Sequence, residues 1–162
     1  MSLGQVRFLD IPINQSFDSF GETLCQKATL RDAHTTVILG TRQATFSANF
    51  AGFPNCSVVI YENESHWMDN IWVILPAYEG IARIKQAKLD YDNLVTSYKQ
   101  KYGKSEVQYE TLGGDVVNTF LIDNIEISVG IFDFSKGNLG NEASIHIHYY
   151  ILSGRKIDSR DI

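Results

Sequence analysis

The sequence lacks the features that mark several large functional classes. No apolar run reaches the roughly 18 to 20 residues that a membrane-spanning helix needs. Lysine and arginine total 14 against 19 acidic residues, so the net charge is −5. Nucleic-acid-binding domains cluster their basic residues, whereas the one basic cluster here, Gly154–Arg160, is interrupted by acids. We therefore expect neither a membrane span nor a nucleic-acid partner.

Sequence motifs of familiar enzyme classes are also missing. There is no G-x-S-x-G nucleophile elbow, no H-E-x-x-H zinc motif and no G-x-G-x-x-G dinucleotide fingerprint. K-Y-G-K-S-E, residues 101 to 106, ends a predicted helix, whereas a phosphate-binding loop begins one. The sequence thus predicts no catalytic residue, no metal ligand set and no cofactor.

Cysteine is scarce, since Cys25 and Cys56 are the only two. In an exported protein they can pair, closing a loop of about 30 residues and adding about 3 to 4 kcal/mol of stability. In a reducing cytosol they would instead be two small hydrophobic residues. The sequence leaves both possibilities open.

What the chain does contain is an ordinary globular composition with two predicted helices. A first helix is capped by Ser16 or Asn14. A second is capped by Asp90 and ends at Gly103, although Ile81 and Ile84 also allow an earlier start. The apolar stripes are Phe17, Phe20, Leu24 and Ala28 in the first helix, and Tyr91, Leu94, Tyr98 and Tyr102 in the second.

Four strands are predicted after each helix, because these segments alternate or are rich in β-branched and aromatic residues. They cover residues 35–40, 44–50, 56–62 and 68–75, then 106–111, 116–122, 125–132 and 143–151. This order predicts an α+β fold of two helices and eight strands in antiparallel sheets, either separate or joined edge to edge. We interpret residues 1–162 as a single domain with a solvated tail at 153–162.

The same order suggests an internal repeat of residues 14–76 and 88–152. C-S-V-V-I-Y at 56 to 61 resembles I-S-V-G-I-F at 127 to 132, an offset of 71 positions. The two helical stripes are 74 positions apart, so the repeat needs a three-residue gap. Any two amphipathic helices share such spacing, so chance similarity is the competing interpretation.

The stretch S-I-H-I-H-Y-Y, residues 144 to 150, is the main candidate site. Alternation along a strand turns its isoleucines toward a helix and leaves His146, His148 and Tyr150 on the other face, near Glu126 of the preceding strand. Two histidines two positions apart can share a metal if a third ligand is present. The same pattern is typical of a ligand-contacting face and also of a plain solvent-facing strand.

The two tryptophans add a second feature to this face. Trp67 and Trp72 are five positions apart, so in one strand they lie on opposite faces, and we expect one in the core and the other on the open face. Trp72 would align with Asn70 and Ile74, and Trp67 with Asp69, Ile71 and Val73. A tryptophan half-covered by a loop is the competing interpretation. His34 and His66 are predicted to lie in loops, apart from the histidine pair.

Three stretches carry a resemblance to a known group of proteins. F-L-D-I-P-I-N-Q-S-F-D-S-F, F-A-G-F-P-N-C-S-V-V-I-Y and Y-D-N-L-V-T-S-Y-K-Q-K-Y-G-K-S-E resemble, in this order, uncharacterised exported proteins of gut anaerobic bacteria. The resemblance covers about two thirds of the chain, its motifs are structural, and it implies no catalytic residue. The helix-then-sheet repeat is also similar in order to β-lactamase-inhibitor-like and outer-membrane-assembly lipoprotein modules, which bind other proteins.

The sequence therefore favours a non-enzymatic exported module whose open sheet face contacts a protein, peptide or glycan. The residues expected to make that contact are His146, His148, Tyr150, Glu126 and Trp72. The alternative is a small metal- or ligand-dependent enzyme centred on the two histidines. The expected location is the periplasm or the cell exterior, with M-S-L interpreted as a start that replaced an export signal.

Overall fold

The computed structural model of the chain describes residues 6–110, 114–133 and 142–152, and the predicted tail at 153–162 lies outside them. The helices are α1 (Phe17–Lys27) and α2 (Ile81–Tyr102). The strands are β1 (Arg7–Phe8), β2 (Ile11–Pro12), β3 (Arg31–Ile38), β4 (Thr41–Phe50), β5 (Phe53–Glu62), β6 (Met68–Ile74), β7 (Tyr78–Glu79), β8 (Glu106–Glu110), β9 (Val116–Ile122), β10 (Ile125–Asp133) and β11 (Glu142–Ile151). The α+β class predicted from the sequence is confirmed.

The eight predicted strands join in one antiparallel sheet, which is the edge-to-edge alternative. Their order is β3-β4-β5-β6-β11-β10-β9-β8, and the short β7 also pairs with β11. The last strands of the two halves, β6 and β11, pair with each other, so the junction protects two edges that separate sheets would expose. β1 and β2 form a small hairpin of their own.

The two halves contribute their strands to the sheet in mirrored order, from each edge toward the junction. Val73 of β6 pairs with Ile147 of β11, and these residues are 74 positions apart in the chain. The buried stripe of α1 starts at Phe17, and Tyr91, its counterpart in α2, is also 74 positions away. The internal repeat of residues 14–76 and 88–152 stays a prediction.

Helix α1 begins where the sequence predicts. The Ser16 side chain accepts a hydrogen bond from the Ser19 backbone N–H at 3.1 Å, which satisfies one of the unpaired donors of the first turn. Phe17, Phe20 and Leu24 are buried, so the predicted stripe faces the core.

Helix α2 takes the earlier of its two possible starts. It runs from Ile81, after Gly80, and ends at Gly103, whose φ of 92° suits a residue without a side chain. Asp90, predicted as the cap, is instead inside the helix, and its carboxylate accepts hydrogen bonds from the Tyr78 hydroxyl and the Gln86 amide. Within the described residues, neither helix is long and apolar enough to cross a membrane.

One face of the sheet and both helices enclose the core. A continuous row of paired residues crosses the buried face, and the apolar side chains of α1 and α2 belong to the same buried cluster. From β4 to β9 this row is Phe46, Val58, Val73, Ile147, Val129 and Asn118. The helices therefore lie on one face, and the opposite face carries no helix of the described chain.

Strand β3 differs from the prediction and from the other strands. It begins at Arg31 instead of residue 35, so it includes His34, whose expected place in a loop is wrong. Every residue of β3 is exposed, since the strand forms the sheet edge beyond the part that α1 covers. Its register with β4 is irregular between Arg31 and His34.

The two cysteines do not pair. Cys25 lies exposed on α1, whereas Cys56 is buried in β5. Burial raises the pKa of the Cys56 thiol, so this residue behaves as a small apolar side chain. Of the two possibilities that the sequence left open, the structure shows free thiols.

Candidate functional site

Strand β11 presents two different faces, as alternation along a strand predicts. Ile145 and Ile147 have no solvent exposure and lie in the core that the helices share. His146 and His148 point the other way and are partly exposed. The expected direction of the isoleucines and imidazoles is therefore confirmed.

Aromatic and imidazole rings from three neighbouring strands meet on this open face. Trp72 of β6 lies directly opposite His148, with ring centroids 5.1 Å apart and planes inclined by 23°, and its edge meets His146 at 6.1 Å. Phe132 of β10 lies 5.0 Å from His146, and Tyr150 packs edge-on 5.6 Å from His148. We call Trp72, Phe132, His146, His148 and Tyr150 the open-face cluster.

Hydrogen bonds orient both imidazoles within the open-face cluster. His148 Nε2 lies 3.1 Å from Asn70 Oδ1, and because an amide oxygen only accepts, Nε2 carries the hydrogen. The Asn70 amide nitrogen in turn donates to Asp69 Oδ2 at 2.9 Å. His146 Nε2 bonds the Ser144 hydroxyl at 2.5 Å. Each ring thus has a fixed partner, which reduces the conformational entropy that a ligand would have to remove.

Burial lowers the pKa of both imidazoles below their ordinary value of 6.5. For His148 the Asp69 carboxylate acts in the opposite direction, but desolvation is the larger effect. Both rings are therefore neutral near pH 7. The cluster then offers stacking surface and hydrogen-bonding groups, without a positive charge on its histidines.

The register brings all five predicted contact residues onto one face. Glu126 of β10 lies opposite Tyr150, and Ser128 lies opposite His148. Trp72, His146, His148 and Tyr150 are in the open-face cluster itself. Their common orientation is a structural fact, and ligand binding by them stays a prediction.

The expectation that one tryptophan lies in the core is wrong. Trp72 is 39% exposed and Trp67 is 41% exposed. Trp67 precedes β6, bridges to Ser16, and donates its indole N–H to Asn14 Oδ1 at 3.2 Å. The five-residue spacing implied opposite faces only if both residues belonged to one regular strand, and β6 begins at Met68.

The other histidines lie away from the cluster. His34 is four strands from β11 in the sheet order, where its Nε2 lies 3.0 Å from Thr45 Oγ1. His66 lies in the connection between β5 and β6, as predicted, with Nδ1 3.3 Å from the buried Glu62 carboxylate. Among the residues that the structure describes, no group of three or more His, Cys, Asp or Glu side chains is arranged to hold a metal ion.

Sequence reasoning missed Phe132 as a member of the open-face cluster. The signal was present, because Phe132 has the same strand parity as Glu126 and Ser128 and therefore faces the same side. The close packing of Phe132 on His146 depends on the pairing of β10 with β11, which the sequence does not specify.

Comparison of this chain with known proteins finds no matching family model, no matching curated sequence and no matching solved structure. The resemblance to exported proteins of gut bacteria therefore rests on the sequence motifs alone.

Proposed function

We propose that the protein is a non-enzymatic, exported binding module whose open sheet face contacts a protein, peptide or glycan. The observation that carries the proposal is the open-face cluster, in which Trp72 stays 39% exposed on a face that neither described helix covers. A solvated strand face normally carries separate polar residues, whereas here five rings from three strands pack together.

The shape of the open face favours a macromolecular partner. Small-molecule sites are concave and enclose most of their ligand. Three cavities of about 490 to 610 Å³ in the described part of the chain are lined by residues outside the open-face cluster. The cluster itself spreads its rings over three neighbouring strands of a sheet, which suits an extended or flat partner surface.

The residue types in the cluster also favour recognition. Tryptophan and tyrosine contribute more binding energy than other residues at protein interfaces, because they bury large rigid surfaces and keep a polar atom available. The Trp72 ring is held by His148, so little side-chain freedom is lost on contact. Glu126, opposite Tyr150, adds an acidic acceptor beside the rings.

A binding screen followed by one substitution tests the proposal. The purified protein is screened against a defined glycan array and a displayed peptide library, and hits are measured by calorimetry. Trp72→Ala is expected to weaken binding by roughly thirtyfold, as for a central interface residue. Trp67→Ala is the matched control, because Trp67 is equally exposed but lies outside the cluster.

Two outcomes contradict the proposal. One is a set of hits whose affinity Trp72→Ala leaves unchanged, which would place the contact elsewhere. The other is stoichiometric bound metal that His146→Ala removes, with no hit in either library. That second result would favour the alternative of a metal-dependent enzyme centred on His146 and His148.

A further inference from the structure

A cavity of about 490 Å³ lies on the helical side of the sheet, opposite the open-face cluster. One wall is a helical stripe of α2 that includes Asn93, Leu94, Ser97 and Tyr98. The facing wall comes from the turn of the β1–β2 hairpin and the turn between β4 and β5. This volume lies within the range of about 300 to 1,000 Å³ that is usual for small-molecule sites.

The facing wall is built from backbone conformations that ordinary side chains rarely adopt. Leu9, Asp10 and Ala51, all lining the cavity, have φ values of 49°, 64° and 50°. A non-glycine residue in this region is uncommon and costs about 1 kcal/mol or more. Here the hairpins require them, because Leu9–Asp10 and Ala51–Gly52 are two-residue loops between paired strands, and such loops favour positive φ.

Two buried tyrosines that line the cavity have their hydroxyls in contact with each other. Tyr98 Oη and Tyr149 Oη are 2.6 Å apart, and both residues line the cavity. Two hydroxyls carry two hydrogens, and their mutual bond uses one of them. Each hydroxyl oxygen has the other as its partner, so the second hydrogen is the one available to an acceptor that enters the cavity. A ligand oxygen that accepts it would form a favourable hydrogen bond.

The hydroxyl pair keeps both hydrogens over the working pH range. Burial raises the pKa of the Tyr98 phenol and of the Tyr149 phenol well above the usual value. The rings packed on the pair are aromatic, with Phe8 edge-on to Tyr149 at 5.8 Å and Phe120 at 5.7 Å from Tyr98. The charged lining residues are Arg7, Asp10, Asp90 and Lys101, of which Arg7 pairs with Asp10 and Asp90 accepts from Tyr78 and Gln86. A charged acceptor would be desolvated there, whereas a neutral oxygen would not be penalised in this way.

We infer that this cavity binds a small, neutral, largely apolar molecule whose inner end carries a carbonyl or ether oxygen. The apolar body packs against Leu94, Phe50 and Phe53, and its oxygen accepts the spare hydrogen of the Tyr98–Tyr149 pair. This site is separate from the open-face cluster, and it does not depend on the proposed function of that face.

A matched pair of fluorescent probes tests the inference. The first is 6-propionyl-2-(dimethylamino)naphthalene, a neutral ketone whose emission shifts to the blue in apolar surroundings. The second is 2-(dimethylamino)naphthalene, which lacks the carbonyl group. The wild-type protein is expected to bind the ketone saturably at one site, roughly fivefold tighter than the compound without the carbonyl.

Two variants locate the site and the donor. Ser97→Trp places a large ring at an exposed position that lines the cavity, and it is expected to weaken ketone binding at least tenfold. Gln100→Trp, exposed on α2 but outside the cavity lining, is the matched control and should bind normally.

The double variant Tyr98→Phe/Tyr149→Phe keeps both ring shapes, so it should fold. It should lose the preference for the ketone and still bind the compound without the carbonyl.

Each contrary result overturns a defined part of the inference. Absence of saturable binding to the wild type, or equal binding by Ser97→Trp and Gln100→Trp, excludes this cavity as the site. A preference for the ketone that persists in the double tyrosine variant excludes the hydroxyl pair as the donor.

Discussion

The two faces of strands β6 and β11 differ sharply, although their residues alternate along the same backbone. The Val73–Ile147 pair is completely buried, whereas the adjacent Trp72–His148 pair is partly exposed and packs with neighbouring rings. On the first face the helices remove apolar surface from water, and this burial supplies most of the stability. On the second face the side chains contact mainly each other.

This difference separates residues that stabilise the fold from residues that are available for recognition. Removing a side chain from the covered face leaves a cavity that the helices cannot fill. Removing a side chain from the open face mainly changes a surface that is already in contact with water. The comparison thus predicts large effects on stability for one face, and small ones for the other.

The largest effect is expected from Ile147→Ala on the covered face. Ile147 is 0% exposed, so the substitution should lower the free energy of unfolding by about 2 to 5 kcal/mol. The adjacent substitution His148→Ala, on the open face, should cost about 1 kcal/mol, since it removes one stacked pair and one hydrogen bond. Urea denaturation of both variants measures the difference. Equal losses for the two variants would show that the faces are not distinct.

A smaller effect is expected from pH. The pKa values of His146 and His148 are lowered in the folded protein, so the unfolded chain takes up protons first as the pH falls. Stability should be highest above about pH 6.5 and should fall as the pH drops through that value toward the lower folded-state pKa values. The Glu62 carboxyl, whose pKa Arg42 lowers to about 2, loses its contribution only in more acidic solution, between its ordinary value of 4.5 and about 2.

Thermal melts at about pH 8 and about pH 5 measure this effect. The melting temperature of the double variant His146→Gln/His148→Gln should differ less between the two pH values than that of the wild type. His34→Gln, at an exposed histidine outside the cluster, is the control that should keep the wild-type difference. If the double variant shows the same difference in melting temperature as the wild type, the two imidazoles are not the cause of that difference.

The smallest effect is expected in the turn between β3 and β4, which lies away from both faces of the central strands. Leu39 is 101% exposed, so Leu39→Ser should change the free energy of unfolding by no more than about 0.5 kcal/mol. A larger loss in urea denaturation would mean that another part of the molecule covers this tip, and that exposure there is not a guide to stability.

Several features were predictable because they depend on local rules. Ser16 caps α1, Gly103 ends α2, and alternation in β11 separates the isoleucines from the histidines. The sequence-based predictions were wrong where a larger pattern or a distant contact outweighed the local one. Asp90 has the residue type of a cap, but the apolar stripe from Ile81 extends the helix past it.

The errors at His34 and Trp67 have a related cause. Nothing in the composition around His34 indicates that β3 starts at Arg31, because an edge strand exposed on both faces has no apolar alternation. The expected position of Trp67 assumes a regular strand, whereas β6 begins one residue later and its register with β5 shifts nearby. Such boundaries depend on pairing with another part of the chain.

The sequence by itself determined the helices, the alternation of the strands and the side on which the histidines lie, because these follow from periodicities of the backbone. Only the tertiary structure decided that β6 pairs with β11. That pairing brings Trp72 onto His148, and the placement of α2 beside the two hairpin turns creates the cavity over Tyr98 and Tyr149. Contacts between residues more than 70 positions apart depend on which strand edges pair, and the local sequence does not specify that pairing.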